Sequence, residues 1–315
     1  MIQLFKINDY LIDTSEFSHS LHSYHVSEFE TMFSKYVGAK YACGVSSATN
    51  AIFLAMLGKS QEVRIPTMIP PVVVNATLNA GNTVCFTDDT EWIGDSYVLH
   101  SFEDYKIVDS AQKVEKDQFK KECNDEDLMI FSFYPTKPIG SLDGGMIVSN
   151  DPKKIEWFKE ATLNGMSYSD SNWNRKVKFP GWKMYLSSVQ AKVAIENFNK
   201  LGFKNSRLKK VRDFYNKSFG YRNTSDHLYR IQVEDRSEFM SKMKERKIVT
   251  GIHYSCAHLM GAYSGCKTES KNLKKSESSS LTTVSIPFNE NLRDSDLEYI
   301  VSSVNSCGKI LNEQQ

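Results

Sequence analysis

A chain of 315 residues exceeds one ordinary domain and can bury a sizeable core. Its 39 Lys and Arg against 38 Asp and Glu are interleaved for a net charge of +1, which gives no electrostatic reason to invoke nucleic acid or an anionic membrane. The six cysteines, at positions 43, 85, 123, 256, 266 and 307, form no Cys-x-x-Cys pair and share no spacing with histidines, which argues for reduced thiols rather than disulfides or a metal site. No apolar run approaches the roughly 20 residues of a membrane helix, and the N-terminus lacks a signal-like core, so the expectation is a soluble, cytoplasmic protein.

Residues 1–25 show only weak periodicity. Over residues 26–36, Val26, Phe29, Met32, Phe33 and Tyr36 recur at three- and four-residue spacing, predicting an amphipathic helix that Gly38 ends. Residues 41–45 read as a short buried strand, followed by the hydroxyl-rich Ser46, Ser47 and Thr49 and an apolar helix over 51–57. Such a junction is either a Ser/Thr cap or a place where the helix's first amides receive a phosphate. Residues 63–66 and 83–86 predict strands, with a helix over 72–80 between them, and 105–108 a further buried strand directly before Asp109. A carboxylate there either caps a turn or is a charge held for a ligand. The alternation of strand and helix predicts an α/β domain with a largely parallel sheet and ligands at the strands' carboxyl ends.

Residues 128–133 and 146–148 are apolar runs, and Lys137 lies in the loop between Pro135 and the turn at Gly144 and Gly145. Alone, such a lysine is a solvated surface residue; held among packing residues, it loses hydration and becomes a nucleophile. Beyond it we expect a helix over 152–163, a long loop over 164–181, a helix over 186–201, a β-α-β unit from 228 to 254, a Ser- and Lys-rich surface loop over 268–280 and a closing helix over 294–304, with no internal repeat.

A lysine, an acid and a hydroxyl-rich helix start at three strand ends are what pyridoxal phosphate requires. Its aldehyde condenses with an amine, its ring nitrogen needs a carboxylate, and its phosphate suits a helix N-terminus. The motifs also carry a resemblance. Phe29, Phe33, Tyr36 and Gly38, then Ser46 to Ala51, then Asp109-Ser-Ala-Gln112, then Phe131-Ser-Phe-Tyr-Pro-Thr-Lys137 with Gly144-Gly145, then Gly181 to Ala191, Gly251-Ile-His253-Tyr254 and Asp296-Leu-Glu-Tyr-Ile stand in the order found in the DegT/StrS family of sugar-nucleotide aminotransferases, which this chain resembles along most of its length.

The resemblance implies a fold-type I pyridoxal phosphate transferase: a large α/β domain over residues 1–195, with a mostly parallel sheet flanked by helices, and a small C-terminal α/β domain over 196–315. It implies Lys137 as the lysine that bonds the cofactor, Asp109 as partner of its ring nitrogen, Gln112 at the ring, and Ala48, Thr49 and Ser132 at the phosphate. His253 and Tyr254 would lie near the substrate, and the segment from Gly181 to Tyr185, with Lys183 or Tyr185 where the family commonly has asparagine, would reach the partner's site in a homodimer. The implied activity is transfer of glutamate's amino group to a nucleotide-linked 4-keto-6-deoxy sugar for polysaccharide biosynthesis. A dehydratase of the same fold would carry histidine in place of Lys137, and a homologue that only binds cofactor is the remaining alternative. Two departures stand out: the family normally inserts further strand and helix between Asp88 and Asp109, and it often places an aromatic residue where Pro70 stands.

Overall fold

The computed structural model describes residues 1–7, 9–13, 15, 17, 23–167 and 176–311. In chain order come α1 (His25–Val37), β1 (Tyr41–Val45), α2 (Ala48–Met56), β2 (Glu62–Pro66), α3 (Pro71–Asn79), β3 (Thr83–Thr87), β4 (Tyr97–Ser101), β5 (Lys106–Asp109), α4 (Gln118–Glu122), β6 (Leu128–Ser132), β7 (Gly145–Ser149), α5 (Pro152–Thr162), α6 (Ser188–Asn199), α7 (Leu201–Phe219), β8 (Tyr229–Val233), α8 (Arg236–Glu245), β9 (Lys267–Thr268), α9 (Lys274–Thr282), β10 (Thr283–Ile286), α10 (Asp294–Cys307) and β11 (Ile310–Leu311).

The central sheet has the order β1-β7-β6-β5-β4, and β2-β3-β9 forms a second, parallel sheet beside β4. The α/β transferase fold expected from the sequence is present, with a central sheet that is mixed rather than mostly parallel. Only β5 and β6 pair in parallel there. Strand β7 returns antiparallel after the turn at Gly144, and β4 doubles back on β5, because in neither case does a crossover helix intervene.

Side-chain alternation divides this sheet between two cores. Val45, Ile107, Leu128, Ile130 and Ile147 face a core shared with α2, α3 and α5. Ala42, Val108, Met129, Phe131, Met146 and Val148 face another, formed with α1 and α6. Burial on both faces explains why these strands read as unbroken apolar runs. The helix expected over 26–36 supplies Phe29 and Phe33 to the second core and stops at Gly38, whose φ of 83° favours glycine. A third core joins β8, β10, α7, α8 and α10, with Tyr215, Tyr229, Ile231 and Ile300 fully buried. The segment carrying Cys256, Ala257, Tyr263 and Leu273 leaves that third core and packs against the first.

Two local expectations are corrected. Residues 248–254 are no regular strand: Val249 N–H donates to Ile2 O at 2.9 Å and Gly251 N–H to Ser285 O at 3.0 Å, so two different neighbours share the segment's backbone bonds. The Ser- and Lys-rich stretch is largely the helix α9. Its first-turn amides of Lys275 and Ser276 donate to the Asp88 carboxylate at 3.0 and 2.7 Å, a cap supplied from a distant strand end. Of the long loop expected over 164–181, residues 168–175 lie outside those described.

Phe133, fully buried, leads from β6 into the lysine loop, its ring 5.0 Å from that of Phe29 and 5.4 Å from that of Phe33. Truncation leaves a ring-sized void, so Phe133→Ala is expected to cost about 3–5 kcal/mol of stability, measured by urea denaturation.

Candidate active site

The site is built where β5 and β6 end. Along each strand every second residue faces the same way, so Asp109 lies on the side of Ile107, and Ser132 on the side of Ile130. Both therefore face the layer that holds α2. Gly145 pairs directly with Ser132, and a Cβ there would stand 2.7 Å from the Ala48 nitrogen and 2.8 Å from the Ser47 carbonyl carbon. Strand β7 thus passes under the start of α2 with room for hydrogen alone.

At that helix start the cap reading of the hydroxyl residues holds at Ser47. The Ser47 side chain accepts from Asn50 N–H at 3.2 Å and so caps the helix, while Asn50 Nδ2 donates to Ser46 Oγ at 2.8 Å and holds the residue before it. The amides of Ala48 and Thr49, at the first two helical positions, have no acceptor within the helix. Ser132 is buried, and its Oγ accepts from Tyr134 N–H at 3.3 Å. An anion at this helix end would meet two amides and, across the Gly145 gap, a hydroxyl.

Lys137 stands in the loop between β6 and β7. Its own N–H donates to Tyr134 O at 2.8 Å, and Ser141 N–H to Phe133 O at 2.8 Å. From beneath, Ser141 Oγ donates to Gln190 O at 2.7 Å, and Lys204 Nζ from α7 to Pro138 O at 3.0 Å and Lys137 O at 3.4 Å. Burial lowers the Lys137 amine to about 8, against the opposing pull of the Asp109 charge. The structure thus brings the two together, close enough for each charge to act on the other.

Asp109 is buried. That raises its carboxyl above the usual value, while Ala111 N–H, the Tyr97 hydroxyl and the Lys137 charge act against the rise. Its Oδ1 accepts from Ala111 N–H at 2.9 Å and its Oδ2 from Tyr97 Oη at 3.0 Å. Gln112, also buried, accepts from Gly94 N–H at 2.8 Å and donates to Tyr254 Oη at 3.0 Å.

His253 joins this cluster with its Nδ1 2.7 Å from Ser285 Oγ; burial, then Lys137 and Arg230, lower it to about 4, so its ring is neutral at pH 7. Tyr254 stacks on Trp92, centroids 6.0 Å apart and planes 2° from parallel. Lys183 is different. It is exposed, bridged to Leu163 on the segment that runs beside β1, and one chain does not bring it together with Lys137 and Asp109.

Sequence reasoning missed several neighbours. His227 is buried and lowered well below its ordinary range by that burial and by the charges of Lys137, His253 and Lys204. Phe5 stacks on His227 at 5.5 Å and meets His253 edge-on at 5.8 Å. No periodicity marks either residue. Trp92 and Tyr97 come from the span between Asp88 and Asp109 that looks depleted beside the family, and their density of aromatic residues was the available signal. A separate cavity of about 600 Å³, lined in part by Glu30, Cys43, Lys159 and Tyr185, shares no lining residue with the Lys137 cluster.

Modification of Lys137 in the cofactor-free protein by a small acylating reagent, followed by peptide mass spectrometry, should rise with pH around a midpoint of about 8, against about 10.4 for an ordinary lysine. Because the Asp109 charge raises the amine's affinity for protons, Asp109→Asn should move that midpoint lower still.

The model of the DegT/DnrJ/EryC1/StrS aminotransferase family matches residues 7–93 and 105–305. UDP-4-amino-4,6-dideoxy-N-acetyl-beta-L-altrosamine transaminase of Campylobacter jejuni is 25% identical, with 87% of each chain covered. Aminotransferase TlmJ from Streptoalloteichus hindustanus superposes with a TM-score of 0.80 at 20% identity, covering 97% of this chain and 98% of that one. Helicobacter pylori PseC, an aminotransferase involved in the biosynthesis of pseudoaminic acid, does so with a TM-score of 0.78 at 18% identity, covering 96% and 99%. With the match running through all three cores, the chain belongs to the DegT/DnrJ/EryC1/StrS aminotransferase family.

Proposed function

We propose that this protein uses pyridoxal phosphate to carry the amino group of glutamate to the keto group of a nucleotide-linked sugar, a 4-keto-6-deoxy sugar or a close relative, in the supply of amino sugars for polysaccharide. The observation that carries the proposal is the pairing of a desolvated amine, Lys137, with a buried carboxylate, Asp109, on the sheet face that also holds an open helix start. The residues present fit the cofactor: a desolvated amine, a buried carboxylate, and a helix start whose first amides have no acceptor within the helix. Membership of an aminotransferase family and the transaminase from Campylobacter jejuni support the reading.

When bound, pyridoxal phosphate supplies an aldehyde for the amine and a protonated ring that draws electrons from the breaking bond. Asp109 would keep the proton on the ring nitrogen. The amides of Ala48 and Thr49 and the hydroxyl of Ser132 would hold the phosphate, and Gln112, fixed at both ends of its amide, would lie against the ring. Lys137 Nζ would carry the proton between the substrate carbon and the bound cofactor, a duty suited to an amine whose pKa lies close to neutral pH. His253, uncharged, and Tyr254 would face the sugar.

We further read residues 1–195 as the cofactor-binding domain and 196–315 as the small domain. The molecule would work as a cytoplasmic homodimer in which Lys183 reaches the neighbour's phosphate.

The purified protein should bind pyridoxal phosphate with a visible absorption band, release 2-oxoglutarate from glutamate and aminate one member of a nucleotide keto-sugar panel, as seen by mass spectrometry. Lys137→Ala should abolish the lysine-dependent band and lower turnover by about 10²–10⁴-fold. A protein that never takes up the cofactor would refute the reading, and a monomer in solution would remove the role given to Lys183.

A further inference from the structure

The family match leaves out residues 94–104, and those residues hold the strand that touches Asp109. Strand β4 pairs antiparallel with β5 and sets Tyr97 directly opposite Asp109. Tyr97 Oη donates to Asp109 Oδ2 at 3.0 Å, while the other carboxylate oxygen accepts from Ala111 N–H at 2.9 Å. Each oxygen of the acid thus has one donor, and only one of the two comes from a side chain.

The surroundings fix that hydroxyl. Trp92 packs its ring 4.7 Å from that of Tyr97. Just before the strand, Ser96 Oγ donates to Glu122 Oε2 at 2.6 Å, and Lys113 Nζ bridges Asp95 Oδ1 at 2.8 Å and Glu122 Oε1 at 3.0 Å, tying the start of β4 to α4. A bulge between Val98 and His100 shifts the register immediately afterwards, so the direct pairing with β5 is set at the Tyr97 end.

Resting on the function proposed above, we propose that Tyr97 is a positioning residue of the reaction: its hydroxyl holds the Asp109 carboxylate oriented and ionised for the ring nitrogen. The acid is buried, so each donor removed favours its protonated form, which cannot keep a proton on the ring nitrogen by charge. The compact span between Asp88 and Asp109 therefore contributes to the chemistry as well as to the sheet edge.

Tyr97→Phe keeps the ring and its packing on Trp92 and removes only the hydroxyl. In the cofactor-free protein, the melting temperature of Tyr97→Phe relative to the unsubstituted protein should fall most where Asp109 is ionised. The deficit should shrink as pH falls through protonation of Asp109, since a neutral acid needs the donor less. It should shrink in the same way when both proteins also carry Asp109→Asn, whose amide oxygen accepts without a charge. In the loaded protein, the acid limb of pyridoxal phosphate binding, followed by absorbance, should move up by about one pH unit, a tenfold change in proton affinity.

A deficit that is the same at every pH, and undiminished beside Asp109→Asn, makes Tyr97 a packing residue and overturns the proposal. So does cofactor uptake by the unsubstituted protein with an unshifted limb in Tyr97→Phe. Failure of the unsubstituted protein to take up cofactor overturns the aminotransferase reading instead, and is recognised before any variant is compared.

Discussion

Everything at the proposed centre depends on holding an amine and a carboxylate out of water within reach of each other's charge. Desolvation acts against both: it lowers Lys137 to about 8 and raises Asp109, and each partner partly restores the other. A lone buried ion of either sign would neutralise itself. Here the fold sustains the pair by giving Asp109 two donors and by locking the loop that carries Lys137 through its backbone, so that the amine keeps its place without a tight ion pair of its own.

The same constraint accounts for the architecture around it. Asp109 and Ser132 share a sheet face because each lies two residues from a buried isoleucine of that face, and the face they share already carries α2. The passage of β7 beneath that helix demands a residue without a side chain, which is why Gly145 lies where the two meet. Asp109, the first amides of α2 and Lys137 are then gathered by strand alternation and one close approach, with the histidines and Tyr254 brought up from the third core and the segment that follows it.

Much of this was legible in the sequence because it rests on local chemistry. Turn residues bracket Lys137, hydroxyls precede an apolar helix, and an acid follows a buried strand. The order of these motifs named the family before any coordinates did. What stayed hidden is non-local. Helix α9 depends on Asp88 capping it from another strand end, which no window around its serines could reveal. The segment before Tyr254 takes its bonds from the N-terminus and β10 in turn, so the strand expected there did not form. Tyr97 lay in a stretch read only as short, and His227 feels through space the charge of Lys137, ninety positions earlier in the chain, a distance no periodicity spans.

Lys204 belongs to α7, whose Leu208 and Val211 are part of the third core, yet its amine grips the carbonyls of Lys137 and Pro138. The contact works as a tether between a lever and its fulcrum. A shift at the start of α7 would pull on the backbone that bears Lys137 through these two parallel hydrogen bonds, so that the packing of the third core bears on where that amine stands.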